Sequence, residues 1–419
     1  MKIEKNSHFV NLYIYIMLLE FTVGNFLSFK EKKTLSLEAG SIKELKDNVV
    51  QEGKYKILRS AAIYGANSSG KSNFIKSLDF MVTIIKESSK LNSTDKLKVK
   101  PFLLNTETEN QPSFFEILFT DSDKRYRYGF EVDNDKVHSE WLYILNQNLK
   151  KEELYFVREI NGIGVADIFE EAKGLESKAR DNGLFLPLAD QFNIDVAKTI
   201  MQNINKLYVR SGLEHGDSVF ATNMMCDNDR DREILNTFIK KLDLGFQNFN
   251  LEQKEGVDFG NRLRTLHNVY DNEGIVVSNY EFKLSDQESS GTNKIFDLSG
   301  FVLLSIQLGL VLIIDELDSK LHPILTQEII KLFNNPETNP NNAQLIFTTH
   351  DTNLLVANLF RRDQIWFTEK DNIESTDLYS LLEFKDENGK TVRSDRSFEA
   401  DYIKGRYGAI PYISNFQEI

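Results

Sequence analysis

The stretch Gly65-Ala66-Asn67-Ser68-Ser69-Gly70-Lys71-Ser72 sets two glycines, a lysine and a hydroxyl at the spacing of a loop that wraps phosphate. Glycines let backbone N–H groups converge on phosphate oxygens. Lys71 then neutralises the outer phosphates, and the Ser72 hydroxyl ligates magnesium. Asn67, Ser68, Ser69 and Asn73 line the same turn. The spacing also suits an ordinary turn ahead of a helix, so the rest of the chain must supply what nucleotide chemistry requires.

Two acids supply part of it. In "LVLIIDELDSKLHP" an apolar run leads into Asp315 and Glu316. Asp315 is placed to hold magnesium through water, and Glu316 to orient or deprotonate an attacking water. The pair could instead cap the next helix, a reading weakened by Asp318, His322 and Pro323 following in register. The run "QLIFTT" ends at His350, which can contact a γ-phosphate and polarise the water; a histidine after a strand can equally be structural. Ser289, Ser290, Gly291 and Thr292 open a further helix, where free N–H groups and the positive dipole end suit an anion. An ordinary Ser/Thr N-cap has the same composition. One nucleotide needs only one phosphate loop, so this second site most simply serves the ATP of a partner molecule.

These groups need a scaffold. The strand "KILRSAAIY" precedes the loop, and Phe74, Leu78, Met81, Ile84 and Ile85 follow it at helical spacing. Apolar runs separated by "DSDK" and "DNDK" predict an antiparallel meander of three strands between Pro112 and Leu145. "FDLSGFVLLSIQLG" reads as a helix, "LVLIID" and "QLIFTT" as buried parallel strands, "DQIWFTEK" as a strand and "STDLYSLLEF" as helix-like. Residues 144–280 alternate helical stretches with polar loops and lack sustained heptads, which predicts a mainly helical inserted lobe and no coiled-coil arm. The expected architecture is an α/β phosphate-loop domain with a β-meander subdomain, its halves at 17–143 and 281–380 split by that lobe, and a tail at 381–419. Residues 1–16 read as a dispensable extension or an extra edge strand. Their apolar run is too short to span a bilayer.

Composition narrows the class. The 419 residues suffice for one large or two to three ordinary domains, and 41% hydrophobic content with seven prolines describes a folded globular chain. The single cysteine, Cys226, excludes an intrachain disulfide framework and fits a reducing cytoplasm. A net charge of −13 argues against nonspecific coating of DNA.

Taken together, "GANSSGKS", "ESSGT", "DELDSKLHP" and "TTHD" resemble the ATP-binding-cassette (ABC-type) ATPases of the SMC and RecF type, and are especially similar to the OLD-like and AbiL-type ATPases of bacterial phage-defence operons. The opening "MLLEFTVGNFLSFKEKKTLSL", the middle "DNGLFLPLADQFN" and the ending "RSFEADYIKGRYGAIPYI" extend the resemblance over most of residues 17–413. It implies an ABC-type ATPase using ATP and Mg2+. Two chains would form a head-to-head homodimer sandwiching two ATP molecules, each held by one phosphate loop and the other chain's Ser289–Thr292, with Asp318 at the interface. The signature lacks the Leu-Ser-Gly-Gly-Gln form of transporters, and Gln111 is the candidate for the lid glutamine.

The output expected is a switch or sensor in phage defence that controls a separately encoded effector, a Toprim-like nuclease of the RloB kind. The acids after His350, among them Asp371, Glu374, Asp377, Glu383, Asp386 and Glu387, are too scattered for a nuclease site of the chain's own. The competing reading is a RecF-like repair ATPase that binds DNA ends, with Arg361, Arg362, Arg393, Arg396, Lys404 and Arg406 as its basic contacts. A solvated charged face is the plainer account of those residues. Tyr402, Tyr407, Ile410 and Tyr412 of the tail either cover a sheet edge or dock a partner.

Overall fold

A computed structural model describes residues 16–121, 124–146, 151–211, 219–242, 244–252, 259–356, 358–386 and 389–410. Two large sheets organise them. In the first, seven antiparallel strands run in the spatial order Gly162–Val165, Glu153–Glu159, Val137–Asn146, Lys124–Val132, Ser113–Asp121, Ile16–Gly24 and Lys33–Ser36. The expected meander is its centre. In the second, Leu207–Ser211, Val311–Asp315, Gln344–Thr348, Ser60–Gly65 and Ile365–Lys370 lie parallel, and Thr376–Ser380 closes one edge antiparallel.

Successive residues of a strand face opposite sides, and the parallel sheet uses both. Val311, Ile313, Ile346 and Trp366 join Ala61 and Ile63 in a core shared with the antiparallel sheet and the helix Lys71–Glu87. The helix fills the space between the sheets, with Phe74 packed edge-on to Phe21 at 5.5 Å. Leu312, Ile314, Leu345 and Phe347 face the other way, into a second core beneath the helices Ser290–Leu308 and Pro323–Asn334. Ser290–Leu308 ends at Gly309, whose φ of 65° is the left-handed conformation that stops a helix cleanly.

Three expectations change. Residues 144–280 carry strands as well as the expected helices: Glu153–Glu159, Gly162–Val165, Leu207–Ser211, Asn248–Leu251, Leu263–Tyr270 and Val276–Lys283 lie between them. The first two extend the meander, and Leu207–Ser211 pairs in register with Val311–Asp315 inside the parallel sheet. "STDLYSLLEF" is not helical; Thr376, Leu378 and Ser380 are buried on one face of an edge strand while Asp377 points out, a period of two that the apolar content concealed. Arg361 is no surface contact: at 2% exposure, its guanidinium binds Asp363 and the carbonyls of Gly40 and Glu44.

Its neighbours on the proposed basic surface are engaged as well. Arg362 pairs with Glu44, Arg393 with Asp395, and Arg396 and Arg406 with Asp401. Tyr402 and Tyr407 are buried against Phe367, so the tail packs on the parallel sheet; Tyr412 lies outside the described residues, as do residues 1–15. Among the described residues no helix is long and apolar enough to cross a membrane.

Candidate functional site

The fully buried strand Ser60–Gly65 delivers the phosphate loop to the N-terminus of Lys71–Glu87. No side chain caps that helix, and its first turn holds no acid. Its N–H groups and positive dipole end are therefore available to an anion. Gly70 has a φ of 113°, and a Cβ there would lie 2.2 Å from Thr376 Oγ1; one on Gly65 would lie 2.5 Å from both Ser69 Oγ and Thr368 Oγ1. Only glycine allows the loop to pass this close to the neighbouring strands.

Asn67 and Ser68 are exposed, Ser69, Gly70 and Lys71 are buried, and Ser72 and Asn73 are half-buried. The Lys71 ammonium donates to the carbonyls of Gly65 at 2.8 Å and Ala66 at 3.0 Å. Burial pulls its pKa down to about 8, against the opposing pull of Asp315, Glu316 and Asp318. Asn73, expected at the nucleotide, spends its amide on Ser28 Oγ at 2.9 Å. Thr376 Oγ1 lies 2.7 Å from Ser28 Oγ and 3.0 Å from the Ser69 carbonyl, while Thr368 Oγ1 lies 2.7 Å from Ser69 Oγ. These supports went unnoticed in the sequence because they come from opposite ends of the chain.

Asp315 closes its strand half-buried, and Thr348 on the next strand donates to its Oδ1 at 2.6 Å. The backbone N–H of Glu316 in turn donates to Thr348 Oγ1 at 2.7 Å, and that of Leu317 to the Thr348 carbonyl at 3.1 Å. Glu316 sits at φ 54°, a left-handed conformation that a side-chain-bearing residue adopts at a cost. Strain is thus stored at the residue expected to handle water. Asp318 accepts the His350 backbone N–H on Oδ2 at 3.3 Å, and its buried Oδ1 has no hydrogen-bond partner. The His350 ring stands at the rim, partly desolvated. Loss of hydration, then the Lys71 charge, holds its pKa below the ordinary histidine value, so the ring is neutral at pH 7.

Ser289 caps the helix Ser290–Leu308: its hydroxyl accepts from the Thr292 N–H at 3.0 Å and lies 2.9 Å from Thr292 Oγ1. The ordinary N-cap is therefore realised, on an exposed corner with Ser290. A Cβ on Gly291 would come within 3.3 Å of the Lys320 carbonyl. One turn on, the buried Lys294 donates to the carbonyl of Ser319 and approaches that of Leu317 at 3.4 Å; burial takes its pKa down to about 8. The serine-rich turn and the turn after Asp315 are consequently clamped as one unit.

Lys71 and His350 each feel the charges of Asp315, Glu316 and Asp318, and the five occupy one site at the C-terminal end of the parallel strands. Ser289–Thr292 joins them through Lys294 and Gly291. An uncapped helix end, a buried lysine and a carboxylate with an orphaned oxygen form a donor and acceptor set that fits a polyphosphate and a hydrated divalent cation. Among the described residues no three His, Cys, Asp or Glu side chains gather to hold a metal on their own. Gln111 is exposed, and its backbone carbonyl accepts from Asn25 at 2.8 Å.

Residues 60–357, the span from the strand before the phosphate loop to just beyond His350, match the family described as "AAA domain, putative AbiEii toxin, Type IV TA system". The chain belongs to this family. Distant likenesses to solved structures accompany the AAA-domain match. The SMC head domain from Thermotoga maritima is 14% identical with a TM-score of 0.40, covering 87% of this chain and 98% of that one. The Smc head bound to the C-winged helix domain of ScpA is 13% identical with a TM-score of 0.45, covering 87% and 97%. The recombination mediator RecF with ATP is 14% identical with a TM-score of 0.35, covering 89% and 100%. No curated protein matches the chain.

Proposed function

We propose that the chain is an ABC-type ATP switch that binds and hydrolyses ATP with Mg2+, dimerises head to head around two nucleotides, and controls a separately encoded effector. One observation carries this reading: Lys71, Asp315, Glu316, Asp318 and His350 converge on an uncapped helix N-terminus. Gly65, Ser69 and Gly70 bring backbone N–H groups to the phosphates, and Lys71 leaves the loop carbonyls to meet them. Ser72 and Asp315 are the groups that would hold magnesium, which supplies charge to draw electrons from the transferred phosphoryl. Glu316 takes the proton of the attacking water, and neutral His350 donates a hydrogen bond to the terminal phosphate. Ser289, Ser290, Gly291 and Thr292 reach the ATP of the opposing chain, with Asp318 beside them. The clamp through Lys294 makes that contact move with the Asp315–Lys320 turn.

The family description, which names a putative AbiEii toxin and a type IV TA system, supports a place in bacterial defence. The effector assigned is a Toprim-like nuclease of the RloB kind. For a RecF-like role on DNA, Arg361 is buried and unavailable, while Arg362, Arg393, Arg396 and Arg406 each pair with an acid of their own chain.

Titration calorimetry with ATP and Mg2+ tests the nucleotide assignment: the parent chain binds and Lys71→Ala does not. Equal binding by the two would remove it. For the effector, the purified chain leaves DNA and RNA uncut and co-purifies with the product of a neighbouring gene; cleavage by the isolated chain would contradict that part.

A further inference from the structure

Beside the strand Ile365–Lys370 the tail borders an open surface pocket of about 370 Å³ lined by Glu369, Tyr379, Glu383, Phe384, Tyr407 and Gly408. Its walls are rings. Phe384 and Tyr407 meet nearly at right angles, 5.5 Å apart at 76°, and Tyr379 faces Phe384 at 6.2 Å. The Tyr379 hydroxyl donates to the Tyr407 carbonyl at 2.6 Å and lies 3.2 Å from Glu369 Oε2, which pins the tail in place. Gly408 keeps the floor open: at φ 68°, a Cβ there would sit 2.3 Å from Glu369 Oε2.

Two carboxylates stand at the mouth. Glu369 and Glu383 are both exposed, and neither forms an ion pair with another described residue. That sets them apart from Asp401, Asp363 and Glu44, each of which has an arginine. An aromatic corner with unneutralised acids at its lip attracts a cation through the ring faces and through charge, and repels phosphate.

We propose that this pocket receives an arginine side chain from a protein partner. The planar guanidinium lies over the half-exposed Phe384 ring while its N–H groups reach Glu369 and Glu383, a match that the compact ammonium of lysine makes less well. The cavity lies at the lower end of ligand-pocket sizes, roughly 300–1,000 Å³, and so admits one long side chain rather than a folded element. The pocket is linked to the phosphate loop, because Thr368, the residue before Glu369, touches Ser69 of that loop. The inference stands on the pocket alone and is independent of ATP hydrolysis.

Fluorescence anisotropy of the full chain with a labelled peptide of alternating glycine and arginine tests it. The arginine peptide binds about tenfold or more tightly than its citrulline counterpart, which has the same shape without the charge. The double substitution Glu369→Gln and Glu383→Gln abolishes that preference, and Phe384→Ala weakens binding in a chain that stays folded. Should the double variant unfold, Phe384→Ala carries the comparison. Equal binding of the two peptides, or a preference that survives these substitutions, overturns the assignment. Spermidine that binds through the same residues while the arginine peptide does not would make the ligand a free polyamine and overturn the protein-partner source.

Discussion

The hydroxyl of Thr348 lies 2.6 Å from Asp315 Oδ1 and accepts the backbone N–H of Glu316 at 2.7 Å, so one side chain on one strand sets both acids at the end of the next. Thr348→Val keeps the shape and removes both bonds. Turnover falls about tenfold or more, because positioning of the general base is lost, while ATP binding through the phosphate loop stays close to the parent's. A steady-state assay paired with calorimetry checks this, and parent-like turnover would deny Thr348 its role.

Proton uptake on binding follows from Lys71. In the nucleotide-free chain its pKa is drawn down to about 8 by burial, and the phosphates raise it. Below that value Lys71 is already charged and affinity is flat with pH; above it, binding must bring a proton, and affinity falls by up to about tenfold per pH unit. Calorimetry near pH 9 in buffers of different ionisation enthalpy reads the proton directly. Binding with no proton uptake there would contradict the assignment.

Glu316 holds its left-handed backbone at φ 54° for the sake of chemistry. Glu316→Gly relieves that strain while keeping the backbone bond to Thr348. The variant gains about 1 kcal/mol of stability, the strain relief exceeding glycine's entropy cost, and loses hydrolysis by about a hundredfold. A thermal melt lower than the parent's would show that the conformation is not strained.

The buried guanidinium of Arg361 joins Asp363, Gly40 and Glu44 and ties the loop after Lys33–Ser36 to the turn that leads into the strand Ile365–Lys370. Arg361→Ala leaves Asp363 buried without its cation and costs about 3–5 kcal/mol, measured by denaturant unfolding. A loss below about 1 kcal/mol, the range of exposed pairs, would place Arg361 at the surface after all.

What the sequence carried was local. The phosphate loop, the acids after "LVLII" and the helix after "ESSGT" are written in consecutive residues, and their neighbours in the chain are their neighbours in space. What it hid was made by distance. Leu207–Ser211 looks like any short apolar run until Val311–Asp315 pairs with it, and Thr348, Lys294 and Ser28 acquire their tasks only when remote strands and turns arrive. Arg361 misled because adjacent arginines are commonly exposed, and here the first is enclosed by carbonyls from the other end of the chain.

The central claim is an ATP-driven dimer completed in trans, and sedimentation of the Glu316→Gln chain tests it most directly. With general-base help removed and ATP still held, this variant sediments as a monomer without nucleotide and as a dimer with ATP and Mg2+. Adding Ser289→Arg, which places a bulky side chain on the exposed corner of the helix Ser290–Leu308, abolishes the dimer and leaves ATP binding to the single chain intact. A chain that stays monomeric with ATP, or that dimerises equally with Ser289→Arg, would contradict the account.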